Sequence, residues 1–286
     1  MPMPLDVRTL CFASGAAVLS LALVMTYVWR QRRTYAGFGQ WTLSAWSACL
    51  GTILLGERGH LPDVLSIVIA NLALYLATTL VLTGLVTFTG ARVRAARYAA
   101  LVGLVMALIV VFAYVHPSLR FRQIVFSFTA GGLCLRAAQI ARRRLPVVLA
   151  DANVLVTATL FVMGTVYVLR GVASLAAPPP HEDFLAPSMS QVVALLLFLT
   201  GEACVYGGLM VVNAQRVERD LQNSVEECQV LRGILPICAT CKKIRDDRGA
   251  WNQMESYIRQ HSAVEFTHGI CPDCAKAFKE KAPARA

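Results

Sequence analysis

Charge is what this sequence has least of. Asp, Glu, Lys and Arg make up 15% of its 286 residues, against 56% for the aliphatic, aromatic and sulfur-bearing types. Soluble domains carry about 25% charged residues, so an ordinary soluble composition is excluded. Lysine is absent from residues 1–212, which hold 15 Arg and 7 acidic residues. The net charge of +10 therefore sits mainly in short arginine-bearing loops between apolar runs. It bears on membrane topology and does not point to nucleic acid as a partner. Kinase, ATP-binding and cyclase motifs are also lacking, as are the paired broken helices of a transporter and the filter of a channel. No residue is nominated as catalytic, and a non-enzymatic protein is expected.

What is there is a succession of apolar runs. Crossing about 30 Å of hydrocarbon takes roughly 20 mainly apolar residues in a helix. Seven candidates stand near Leu10–Trp29, Trp41–Leu55, Val64–Phe88, Tyr98–Val115, Ile124–Ile140, Val154–Leu175 and Val192–Val212. The second is short and rich in Ser and Thr, and the fifth contains Arg136. Arg30, Arg32 and Arg33 follow the first run, Arg92, Arg94 and Arg97 the third, and Arg142, Arg143 and Arg144 the fifth. The alternate loops hold Arg58, then Arg120 and Arg122, then no arginine in the Pro-rich stretch from Ala176 to Ser190. The positive-inside rule predicts an outer amino terminus and, with an odd number of spans, a cytoplasmic carboxyl terminus in an inner-membrane protein. The first run carries its positive charge on the wrong side for a cleaved signal peptide, so a retained anchor is expected. The outer loops are too short for a folded ligand domain, which places sensing within or near the bilayer.

Glu202 lies near the middle of the last run, where a carboxylate is costly unless protonated, paired or wetted, and is therefore a candidate intramembrane functional residue. Arg170 and Arg136 lie several residues off its depth and are not expected to pair with it. Polar glue between helices is the plainer role for Glu202, as for Asn71. Gly131-Gly132 and Gly207-Gly208 permit close helix packing.

At Asn213 the pattern changes to alternating charge. Ala214, Val217, Leu221, Ser224, Cys228, Leu231 and Leu235 recur at alternating spacings of three and four, the seam of a coiled coil about three heptads long. Residues 213–235 are thus read as a helical coiled-coil linker between a membrane region, 1–212, and a terminal module, 236–286. A parallel homodimer through this helix is one expectation; a solvated helix packing on the module is the other.

Nine cysteines are present. Cys11, Cys49, Cys134 and Cys204 lie in apolar runs and Cys228 stands alone, which leaves Cys238, Cys241, Cys271 and Cys274 as two Cys-x-x-Cys pairs. In a reducing compartment such spacing indicates metal or redox chemistry rather than disulfides. Four thiolates at about 2.3 Å would complete a closed tetrahedral shell for Zn2+, with His268 as an outer support. His261 or His268 replacing a thiolate, or an iron–sulfur cluster, are the alternatives. A thioredoxin-like dithiol and a c-type haem fit less well, because Lys242 and Ala275 stand where the haem motif needs His. Turn chemistry is expected at Asp246-Asp247-Arg248-Gly249, an amphipathic helix from Trp251 with Met254 and Ile258, and a second helix from Pro272 to Lys281. So small a core usually depends on a metal. The fold class is therefore an all-α polytopic membrane protein of about seven transmembrane helices, with a coiled-coil linker and a zinc-ribbon or treble-clef-like module.

The run Leu235-Pro-Ile-Cys-Ala-Thr-Cys-Lys-Lys-Ile-Arg-Asp-Asp-Arg-Gly-Ala-Trp251, with Glu255, Tyr257, Ile258 and His261, then Phe266-Thr-His-Gly-Ile-Cys-Pro-Asp-Cys274, resembles a tail recurring at the carboxyl ends of bacterial signalling proteins. The resemblance covers about 40 residues. The membrane half more loosely resembles the multi-span sensory regions that precede bacterial histidine kinases and diguanylate cyclases, although no such catalytic domain is present here. What this implies is a bacterial inner-membrane sensor or adaptor whose zinc module binds a cytoplasmic signalling partner. A thiol-based redox or metal sensor, and a transporter or membrane enzyme with a regulatory zinc tail, are the competing expectations.

Overall fold

The computed structural model describes residues 6–149, 154–176, 184–185, 189–232, 235–246 and 248–281, except for the side chains of 190, 226–232 and 277–281. The chain divides into two units, 1–219 and 220–286.

The first unit is helical: α1 (Val7–Gln31), α2 (Phe38–Gly56), α3 (Val64–Phe88), α4 (Ala95–Val115), α5 (Leu119–Leu149), α6 (Val154–Ala176) and the start of α7 (Met189–Arg232). Local chemistry sets the boundaries. Asp6 caps α1 by accepting from the Thr9 N–H at 3.3 Å. Gly37, at φ +103°, turns the chain into α2. The first six residues of α3 and the last five of α4 are wound as π-helix.

Among the described residues six helical stretches are long and apolar enough to cross a membrane: Val7–Gln31, Val64–Phe88, Ala95–Val115, Leu119–Leu149, Val154–Ala176 and Gln191–Val225. The seven expected from the apolar runs thus become six by length and composition, and α2 is the one that drops out. Its polarity has a physical reason. Thr42, Ser44 and Ser47 are buried in the bundle, where the Ser44 hydroxyl meets the Ala77 carbonyl at 2.8 Å and the Tyr206 hydroxyl at 2.9 Å. A helix that faces protein needs less hydropathy than one that faces lipid.

Trp41, fully buried, anchors α2 on α3. Its indole N–H donates to the Val81 carbonyl at 3.3 Å, and its ring lies 5.1 Å from that of Phe88. Gly84 makes room, because any Cβ there would run into the indole. Helices α5 and α6 cross at Gly131 and Gly164, where a Cβ on Gly131 would lie 3.1 Å from the Gly164 carbonyl oxygen. Gly132 and Gly207 have nothing within 4 Å of a Cβ, so only one glycine of each predicted pair serves packing.

Helix α7 runs for 44 residues without a break, across the boundary expected at 212/213. Three of its side chains hold the loop and helix ends at one end of the bundle. The Asn213 amide accepts from the Tyr35 N–H at 3.1 Å and donates to the Arg33 carbonyl at 3.4 Å. Arg216 donates to the Phe88 carbonyl at 2.6 Å and lies 4.1 Å from the Tyr35 ring centroid. Arg219 donates to the Val148 carbonyl at 2.8 Å. On the predicted seam, Leu221 is 63% exposed and Ser224 is exposed, whereas the side chains of Cys228 and Leu231 lie outside the described residues.

The second unit contains a two-stranded antiparallel hairpin, β1 (Ile244–Arg245) and β2 (Trp251–Asn252), then α8 (Met254–His261) and α9 (Pro272–Lys281). Asp246 organises the hairpin turn. Its carboxylate accepts from the Arg248 N–H at 3.0 Å, the Ala250 N–H at 2.8 Å and the Asn252 amide at 2.7 Å. Asp247 of the predicted turn lies outside the described residues. Trp251 is corrected from helix to strand: it pairs with Arg245, and the bond from Asn252 to Asp246 holds the chain extended until Met254.

Candidate functional site

The first unit encloses a cavity of about 110 Å³ to which every helix but α4 contributes. A single water takes on the order of 10–15 Å³ by the same measure, so there is room for several waters or a small molecule. Apolar walls come from Leu55, Leu74, Leu119 and Leu195 and from the rings of Phe126, Tyr167 and Phe198. Tyr167 and Phe198 stack with centroids 4.3 Å apart, and Phe126 lies 5.8 Å from Tyr167. The same space is lined by Arg58, Arg122, Arg170, Gln123, Asn71, Ser127 and Glu202.

Glu202 is where the sequence drew attention, and it also lines a second, apolar cavity of about 40 Å³ with Cys134, Met163 and Tyr206. It therefore stands between a polar space and an apolar one. Arg170 lines the same cavity as Glu202. Arg170 sits on α6 with its guanidinium 5.9 Å from the Phe198 ring centroid, and Phe198 precedes Glu202 by one turn of α7. Arg136 instead bonds Gln139 on its own helix and is exposed. Asn71 is corrected as well, since its amide donates to the Ile67 carbonyl at 2.7 Å within α3 rather than across helices.

Ser127 is the residue that no sequence signal could mark. It is 1% exposed, lines the cavity, and its hydroxyl has no hydrogen-bond partner among the described residues. Arg58 and Arg122 were legible only as loop charges. Arg122 donates from Nε to the Ser118 carbonyl at 3.3 Å, and the Arg58 carbonyl accepts from Arg8 at 3.0 Å.

In the second unit the first cysteine pair forms a tight turn and the second lies at the start of α9. The Lys242 N–H donates to the Cys238 carbonyl at 3.0 Å and the Cys238 N–H to the Lys243 carbonyl at 2.8 Å, closing a loop in which Lys242 takes φ +59°. Left-handed backbone is unfavourable for a lysine and marks a turn specified by its surroundings. In the other pair the Cys274 N–H points at the Cys271 sulfur at 3.5 Å. Such N–H donors, from Cys241 and Thr240 in the first pair and Cys274 in the second, hold the Cys238 and Cys271 thiols below their ordinary range.

Each pair thus has the form of half a thiolate site. The two halves are not brought together: among the described residues no group of three or more His, Cys, Asp or Glu is placed to hold a metal ion. His268 is exposed. His261 stacks on Tyr257 at 4.1 Å and lies 2.7 Å from the Tyr257 carbonyl through Nδ1, which ties it to the end of α8.

Fold and site together define a helical protein with six stretches among the described residues able to cross a membrane, a mainly apolar cavity lined also by several polar side chains, and a tail with a hairpin and two cysteine pairs, consistent with a multi-pass membrane protein. No family model matches the chain, and neither a curated protein nor a solved structure matches it.

Proposed function

We propose that this chain is a non-enzymatic sensor or adaptor of the bacterial inner membrane, in which occupancy of the cavity is passed along α7 to a zinc-bearing tail that engages a cytoplasmic signalling protein. The observation that carries the reading is the continuity of α7. One helix lines the cavity with Leu195, Phe198 and Glu202, is gripped by loop carbonyls through Asn213, Arg216 and Arg219, and continues to Arg232. A helix that lines a ligand space at one end has a physical means of biasing the segment at its other end.

In this reading α2 is a seventh crossing shielded by its neighbours, the amino terminus faces out, and the cavity opens on the outer side. The linker pairs with that of a second copy along Leu221. Cys238, Cys241, Cys271 and Cys274 close on one zinc ion, with His268 beside them. The backbone around each pair fits such a site, although its two halves must close on one another to complete it. Zinc supplies a fourfold tie with no open coordination position, so the tail presents a shape and does no chemistry.

The test uses the full chain in nanodiscs, with a spin label introduced as a noncanonical residue at Gln222 and inter-subunit distances measured by pulsed electron resonance. A dimer distance that shifts between wild type and Glu202→Gln is expected. A monomer signal, or one distribution common to both proteins and to Asn213→Ala, refutes transmission through α7.

A further inference from the structure

Resting on that reading of the cavity as a ligand space, we infer that its ligand is a small amphipathic zwitterion: an ammonium and an acidic group, carboxylate or phosphate, on one short apolar body. The space is lined by one carboxylate, Glu202, and by one guanidinium, Arg170, that have no hydrogen bond or ion pair among the described residues, with each other included. Arg170 lies 5.9 Å from the Phe198 ring centroid, and Phe198 stands one turn before Glu202 on α7. Two opposite charges thus share a cavity without pairing. Arg58 and Arg122 line it too, but each is engaged with other parts of the chain. What is left for a ligand is one charge of each sign.

A charge held away from bulk water is costly unless it is paired. A lone anion answers Arg170 and leaves Glu202 unanswered; a lone cation does the reverse. A ligand carrying both signs answers both and brings no net charge into a low-dielectric space. Arg170 suits the acidic end, because its planar fork donates two parallel N–H bonds to a carboxylate or phosphate, and Glu202 accepts from the ammonium. Ser127 lines the same space with a buried hydroxyl that has no partner among the described residues, and supplies a third contact. Phe126, Tyr167 and Phe198 take the apolar body. At 10–15 Å³ for each water-sized group, the cavity of about 110 Å³ holds roughly seven to eleven such groups, which matches the about nine non-hydrogen atoms of leucine or 6-aminohexanoate.

The full chain in phosphatidylglycerol nanodiscs is titrated with leucine and 6-aminohexanoate, isomers that carry the two charges close together or at opposite ends. Each is compared with its amide, which lacks the carboxylate, and its hydroxy acid, which lacks the ammonium, and binding is read from the shift of the thermal transition. At least one zwitterion is expected to bind about tenfold or more tighter than both of its singly charged counterparts, as for gain of a charge-assisted hydrogen bond. Arg170→Gln is expected to erase its advantage over the amide, and Glu202→Gln its advantage over the hydroxy acid. A general loss of fold cannot produce that crossed pattern. Ser127→Ala weakens binding several-fold. Adding phosphatidylethanolamine, whose head carries both signs, separates a lipid from a free solute: competition that vanishes in both variants makes the lipid head the occupant, absence of competition makes it a free solute, and both uphold the zwitterion. An amide or hydroxy acid that binds as tightly as its zwitterion, an advantage indifferent to both substitutions, or no binding by any probe overturns the class. The spin label at Gln222 keeps the sensory reading apart. A zwitterion that binds and leaves the inter-subunit distance unchanged upholds the ligand class and refutes transmission, whereas a shift driven equally by a singly charged probe overturns the class and leaves transmission standing.

Discussion

Asn213→Ala is the substitution whose effect the bundle specifies most closely. Asn213 is 4% exposed and uses both ends of its amide, accepting from the Tyr35 N–H and donating to the Arg33 carbonyl. Alanine removes the two bonds and strips a part-buried N–H of this acceptor. A net hydrogen bond contributes about 0.5–1.5 kcal/mol, and a buried group left unpaired costs about 1–3 kcal/mol. In membrane proteins interhelical bonds average nearer 0.6 kcal/mol, since the unfolded state finds partners too. The expected loss is therefore about 1–3 kcal/mol, measured by equilibrium unfolding of the full chain in mixed micelles. Asn71→Ala is the matched control, because its 2.7 Å bond to Ile67 stays within one helix and re-forms wherever that helix does. Its loss is expected below about 0.5 kcal/mol. Equal losses for the two asparagines, or a loss below about 0.5 kcal/mol for Asn213→Ala, would refute the role of Asn213 as a clasp between α7 and the α1–α2 loop.

Gly84→Ala drives a methyl group into the Trp41 indole and is expected to lower stability by about 1–3 kcal/mol and to alter tryptophan emission, while Gly103→Ala, with nothing within 4 Å, leaves both unchanged. The Asp246 carboxyl is held below its ordinary value of 3.8, chiefly by the Ala250 N–H. Because the folded value is the lower one, its contribution to the hairpin is fully present above pH 3.8 and is lost as pH falls through the folded value. The amide resonance of Ala250, followed by NMR in acid, is expected to move with a midpoint below 3.8 in wild type and not at all in Asp246→Asn. Elemental analysis of the purified chain is expected to find about one zinc per chain, and Cys238→Ser or Cys271→Ser is expected to reduce it by tenfold or more. Full zinc retention in both variants would rule out a four-thiolate site.

The apolar runs made the helices legible, since length and hydropathy are properties of a segment read alone. They gave no reason for the polarity of α2, because a helix buried among other helices answers to its neighbours: Ser44 is satisfied by Ala77 and Tyr206, and neither can be foreseen from residues 41–55. Glu202 stood out because a lone carboxylate in an apolar run is conspicuous by itself. Arg170 was set aside as a partner for Glu202 on depth counted along its own span, and its place beside Phe198 follows from packing against α7, which no single span reveals. Ser127 carried no signal, since a serine in such a helix looks the same whether its hydroxyl bonds the preceding turn or faces a cavity. In the tail, the cysteine spacing identified each pair. Trp251 was misplaced because the bonds that hold it extended come from Asp246, five residues earlier, and from pairing with Arg245.

An unbroken α7 makes the length of the linker a matter of phase. Each helical residue advances the chain by about 1.5 Å and turns it by about 100°. Losing one residue between Asp220 and Arg232 turns the helical residues that follow, up to Arg232, by that angle, whereas losing seven returns them to within about 20° of their starting direction. Within this stretch, changes in length should be tolerated in sevens and rejected in threes, fours or single residues, so that viable linker lengths form a ladder rather than a continuum.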